Sequence, residues 1–109
     1  MTEICEPCAG FGGAMTAEAA AARMGELHPD WRLDGAALTR RFGFRNFAKA
    51  MQMANLAGWL GEAQGHHPDL AFGWGWCTVT FTSHEAGGIT ANDFLCAKKL
   101  DAITGQIAA

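Results

Sequence analysis

The 109-residue sequence predicts an α+β fold: a single four-stranded antiparallel sheet with three helices packed on one face, in the order α-β-β-α-β-β-α. Three observations predict it. Two segments, 31–44 and 70–84, read as strand pairs, with alternating faces and turn residues between the strands. Three other segments carry helix formers or apolar residues at helical spacing. Helices and strand pairs take turns along the chain, which suits one sheet covered on one side.

The elements follow in order. "CEPCAGFGGAM" is glycine-rich and reads as a loose arm, so residues 1–15 are set apart from a domain at 16–109. Thr16 is placed as the N-cap of an alanine-rich helix over Ala17 to Leu27, which Pro29 stops. "WRLDGAALTRRFGF" reads as a hairpin with Asp34-Gly35 in its turn. In its second strand Leu38, Arg40, Phe42 and Phe44 share a face, on which Arg40 is the exception. "RNFAKAMQMANLAGWLGEAQ" is the longest helix, with one stripe through Phe47, Met51, Ala54, Gly58 and Gly61 and a second through Met53, Leu56 and Leu60. Gly65 suits its C′ position, and Gly58 and Gly61 suggest close backbone approach. In "WCTVTFTSH" Trp76, Thr78, Thr80 and Thr82 face one way and Cys77, Val79 and Phe81 the other. Thr90 is the expected N-cap of the last helix, with Asp93 in capping-box position.

Half of the residues are hydrophobic, enough for a real core, although a domain this small buries a modest share of its surface and favours self-association. Net charge is −3 with no basic cluster, which argues against nucleic acid. The start lacks a secretory pattern, and "AEAAAARM" is too short to span a membrane. Four cysteines in that setting are expected as reduced thiols in the cytoplasm.

Residues 61–90 hold three of the four histidines. Glu62 stands four residues before His66, so the two meet if the helix continues. Pro68 pushes His67 toward an extended conformation, in which neighbouring side chains point apart. Taken alone, the pair reads equally well as a polar helix end, and His84 as a solvated strand end. Together they suggest a site. A metal is the competitor, since Cys5 and Cys8 form a CxxC and histidines could complete a zinc site. A single CxxC, far along the chain from the histidines, is a weak signal. Cys77 and Cys96 look like core residues, and Cys77 faces the apolar side, where a nucleophile could not reach substrate.

"EAQGHHPD" followed by "TFTSHEAGGITANDFLCAKKLD" resembles the pterin-4a-carbinolamine dehydratase family. The shared pattern is E-x3-HHP, then [ST]-H-x3-G-[LI]-[TS]-x2-D. The hairpin and long helix upstream look like that family's, so the resemblance runs from Thr16 to the C-terminus. It implies dehydration of a 4a-hydroxytetrahydropterin to a quinonoid dihydropterin, in recycling of the cofactor of aromatic amino acid hydroxylases. It implies His66, His67 and His84 as catalytic residues and Glu62, Pro68, Ser83 and Asp93 as substrate-binding ones, with no metal and no cofactor. His66 and His84 are expected as the acid–base pair, with His67 and Glu62 orienting substrate or tuning pKa. The sequence departs from vertebrate members at Leu70, where they have Trp, and at Asn92, where they have a basic residue. The resemblance also implies a homodimer or homotetramer and a functional link to an aromatic amino acid hydroxylase, with neither nucleic acid nor membrane as a partner. Two alternatives stand beside it: a non-catalytic pterin-binding or protein-interaction module, transcription-cofactor-like, and a small zinc-binding protein.

Overall fold

The computed structural model describes residues 14–83 and 86–105. The expected order is found: α1 (Ala17–Arg23), β1 (Arg32–Asp34), β2 (Ala37–Gly43), α2 (Phe47–Gln64), β3 (Asp69–Gly73), β4 (Trp76–Phe81) and α3 (Ala91–Thr104). The strands form one antiparallel sheet in the order β1-β2-β4-β3, so the two hairpins join through their second strands.

Local chemistry sets the element ends. The Thr16 hydroxyl accepts from Ala19 N at 3.1 Å and starts α1. This helix is shorter than expected. It tightens into a 3-10 turn over Met24–Glu26, and Leu27 is already extended. Pro29 disfavours helix at the residue before it, which leaves no room for another turn. Gly35 takes φ 60 and Gly75 φ 84, each in the turn of a hairpin. The first turn lies one residue later than expected, at Gly35–Ala36, because Asp34 still pairs with Ala37. Asn46, whose side chain accepts from Lys49 N at 2.8 Å, caps α2.

The sheet's inner face is Leu38 and Phe42 from β2 with Cys77, Val79 and Phe81 from β4, all buried. The Thr face of β4 points the other way and stays half-open, as the alternation predicts. Phe94, Cys96, Ala97 and Leu100 cover this core from α3. From α2 it is covered by Ala50, Ala54, Ala57 and Gly61. This small-residue stripe brings α2 close to the sheet. Met53, Leu56 and Leu60, a second apolar stripe that would call for a partner if it were left in water, pack half-buried against the core. The large apolar residues that α2 leaves exposed are Phe47, Met51 and Trp59.

Arg40 on the apolar face has a partner. Asp101 Oδ1 accepts from Arg40 Nη1 at 2.9 Å and from Trp31 Nε1 at 2.8 Å, and its Oδ2 accepts from His28 N at 2.9 Å. The guanidinium also lies 4.2 Å from the centroid of Phe42.

Candidate active site

The motif residues come together because α2 ends abruptly. Gly65 adopts φ 69 and its N–H turns back to the carbonyls of Glu62 and Gly61. His66 N then donates to Gly61 O at 3.0 Å. The return is tight. A Cβ on Gly61 would lie 2.9 Å from His66 O and 3.3 Å from His67 Cα, and would collide with Pro68 Cδ. Only a glycine at 61 lets the His66-His67-Pro68 segment lie against the helix.

This turn sends the two histidines into different surroundings. His66 is 7% exposed, stacks on Phe81 with ring centroids 6.2 Å apart, and places Nε2 2.6 Å from Asp93 Oδ1. The side chain of His67 is 65% exposed, and its Nε2 meets Glu62 Oε1 at 2.8 Å. The expected helical pairing of Glu62 with His66 is therefore not the one that forms. Gly65 breaks the helix before His66, and Glu62 takes the next histidine instead.

Asp93 is wholly buried in the first turn of α3. Burying a carboxylate is costly unless donors surround it. Here Thr90 N donates to Oδ2 at 2.8 Å and Ser83 Oγ donates to the same oxygen at 2.9 Å, while Oδ1 faces His66. The start of α3 adds the positive end of its dipole. The capping box expected from Thr90 and Asp93 is present. The same carboxylate thus caps a helix and holds an imidazole.

Ser83 is also buried, and its carbonyl closes the next turn by accepting from Ala86 N and Gly87 N at 3.0 and 3.1 Å. Ser83 and Asp93, expected as substrate-binding residues, are both buried, and their side chains hydrogen-bond to each other beside His66. Sequence reasoning found Thr90 as a cap but missed its place here: its hydroxyl lies 2.8 Å from Ser83 Oγ. It also missed Phe81, whose inward position in β4 was legible but whose neighbour was not. His84 lies outside the described residues, as do Cys5 and Cys8.

Cys77 and Cys96 are buried in the core, and burial pushes the Cys77 thiol from its ordinary 9.0 up to about 11. Neither suits a nucleophile. Among the described residues, no three His, Cys, Asp or Glu side chains group as metal ligands. No described helix is long and apolar enough to cross a membrane. A recess of about 360 Å³ beside α2 is lined by Trp59, Leu70 and Glu62 among others. An open groove of about 500 Å³, near Arg40, Phe44 and Met53, contains none of the motif residues.

The fold and this constellation define a small α+β protein with a buried carboxylate–imidazole pair and an exposed one at consecutive helix ends. The chain belongs to the pterin 4 alpha carbinolamine dehydratase family, whose model matches residues 13–103. It is 49% identical over 94 residues to a Paracoccus denitrificans protein provisionally named pterin-4-alpha-carbinolamine dehydratase, covering 84% of this chain and 87% of the relative. A Methylococcus capsulatus protein with the same provisional name is 42% identical over 104 residues, covering 94% of this chain and 90% of the relative. Among solved structures, the chain is similar to a transcriptional coactivator/pterin dehydratase from Brucella melitensis, with TM-score 0.74, 28% identity and coverage of 83% of this chain and 97% of the other. It is also similar to a pterin dehydratase-like protein described as a RuBisCO assembly factor in the alpha-carboxysome, with TM-score 0.58, 27% identity and coverage of 72% and 93%.

Proposed function

We propose that the protein dehydrates a 4a-hydroxytetrahydropterin to the quinonoid dihydropterin by histidine acid–base catalysis, in recycling of a tetrahydropterin cofactor. The observation that carries this reading is the buried His66–Asp93 pair, 2.6 Å apart, inside the family's motif. In the reaction the C4a–O bond breaks and the hydroxyl leaves as water once it has gained a proton. A ring nitrogen gives up a proton to balance the charge. An imidazole exchanges protons near neutral pH and suits both transfers. His66 and His84 are assigned these two roles. His67, held by Glu62 at the surface, orients the substrate with Pro68. Asp93 acts through His66, and Ser83 through Asp93. The pterin nitrogens stabilise the developing cation, so the reading calls for no metal or cofactor. A cytoplasmic setting and a functional link to an aromatic amino acid hydroxylase would fit such recycling.

The test is turnover of a 4a-hydroxytetrahydropterin by purified variants. His66→Ala and His84→Ala should each slow it by roughly 10²–10⁴-fold if each moves a proton. Unchanged turnover in both would refute the assignment.

A second reading is a protein-interaction role, favoured by a specific surface. Phe47, Met51, Trp59, Leu70, Phe72 and Trp74 are all exposed, and the rings of Phe47 and Phe72 meet at a tilt, 5.6 Å between centroids. The two similar structures bear names of an interaction kind, coactivator and assembly factor. Retained binding of a partner by a His66→Ala protein that has lost turnover would separate this role from catalysis.

A further inference from the structure

The hydrogen bonds behind His66 run in one direction, and that direction fixes which nitrogen holds its resident proton. Ser83 has a single hydroxyl proton and gives it to Asp93 Oδ2 at 2.9 Å. Toward Thr90, 2.8 Å away, Ser83 Oγ is then the acceptor, so the Thr90 hydroxyl is the donor. Thr90 Oγ1 in turn accepts from Asn92 N at 3.2 Å. Donors thus pass from the Asn92 amide through Thr90 and Ser83 to Asp93. Thr90 N adds a second donor on Oδ2, at 2.8 Å. With that oxygen served twice, the carboxylate is fixed in rotation and turns Oδ1 toward His66 Nε2 at 2.6 Å. An ionised carboxylate can only accept, so the proton between them belongs to Nε2.

We propose that Ser83 and Thr90 are positioning residues: their hydroxyls orient Asp93 so that the imidazole of His66 is held in place with its resident proton on Nε2. This rests on the acid–base reading of His66 given above. Ser83, Thr90 and Asp93 are all buried, so their hydroxyl and carboxylate oxygens act on the imidazole and not on the substrate. The logic is that of a carboxylate fixing a histidine tautomer, with two hydroxyls fixing the carboxylate in turn.

The experiment has one arm without substrate and one with it. Nitrogen-15 correlation spectra of the imidazoles, recorded at about pH 8.5, above the usual histidine range, report which nitrogen of neutral His66 bears hydrogen. The expected result is Nε2–H in the wild type and a mixture of tautomers in Ser83→Ala. With substrate, Ser83→Ala should lower kcat by roughly 10–100-fold and leave KM within about twofold, the effect of losing an outer partner. Thr90→Ser, which keeps the hydroxyl, should stay near wild type in both arms. A wild-type His66 carrying its hydrogen on Nδ1 overturns the proposal, and needs no variant to fold. So does a Ser83→Ala protein with raised KM and unchanged kcat, which would make Ser83 a substrate contact. So does one that loses stability but keeps its tautomer and kcat. A wild type with the Nε2–H tautomer that turns over no pterin would refute the catalytic reading instead, so the two failures are distinguishable.

Discussion

Arg40 sits on the helix-facing side of β2 because Asp101 meets it there. The two side chains are 11% and 19% exposed, so the pair is largely removed from water, and Asp101 also serves Trp31 and the amide of His28. Asp101→Ala would leave three donors without their acceptor. It should destabilise the fold by roughly 2–4 kcal/mol, measured as a lower midpoint in urea unfolding with little change in slope. A loss below about 0.5 kcal/mol would place the pair among ordinary surface contacts. That Arg40 broke the apolar pattern was legible in the sequence. Its partner, 61 positions away, was not, because only the packing of α3 across the sheet brings it there. The same limit applied to His66 and Asp93, 27 positions apart. Family resemblance marked both residues, but the spacing alone gave no sign of contact. Cys77 carries a pH prediction. Its thiol is raised to about 11 in the fold, so the unfolded chain loses that proton first as pH rises. Stability should fall as pH rises from 9.0 to about 11, and Cys77→Val should remove that part of the alkaline decline. Identical alkaline profiles for the two proteins would contradict it.

At the scale of elements, α2 was read correctly in extent and end but not in its faces. The stripe read through Phe47, Met51, Ala54, Gly58 and Gly61 shares only Ala54 and Gly61 with the buried one, Ala50, Ala54, Ala57 and Gly61, and Phe47 and Met51 are exposed. Small residues carry little signal in a hydrophobic pattern, yet close approach to the sheet requires them. The two glycines suspected of such approach differ. At Gly61 an added methyl meets backbone atoms of the His66-His67 segment; at Gly58 it meets only the end of Leu70, at 3.4 Å. In an open helix either Gly→Ala change would stabilise by about 1 kcal/mol. Gly58→Ala should approach that gain, while Gly61→Ala should destabilise by roughly 1–3 kcal/mol through overpacking and displace the His66 turn. Thermal unfolding of the two variants side by side decides it. A gain in both would mean that the histidine segment yields without cost. The β-strands and α3 were more legible, since alternation and the capping box are local signals that depend on no distant partner.

For the whole molecule, the expectation of self-association moves to a different surface. The stripe of Met53, Leu56 and Leu60 is packed against the core, and the large apolar groups left in water are Phe47, Met51, Trp59, Leu70, Phe72 and Trp74. They lie on α2, on β3, an edge strand of the sheet, and in the turn that follows β3. Burying a large apolar side chain is worth roughly 1.5–3 kcal/mol, and an open edge can pair with another strand. A homodimer or homotetramer using this surface is the expected state at micromolar concentration. Phe72→Glu should shift sedimentation toward the monomer and leave the circular dichroism spectrum unchanged; a wild type that sediments as a monomer would contradict this. His84 lies outside the described residues, and its proposed pairing with His66 rests on the family's motif. The most direct measurement of the catalytic claim is a stopped-flow record of 4a-hydroxytetrahydropterin dehydration with chelator present, comparing wild type, His66→Ala and buffer. The account predicts saturable acceleration by the wild type, with at least about 10²-fold lost in the variant. A wild-type rate equal to that of buffer, or activity that chelator abolishes and zinc restores, would contradict it.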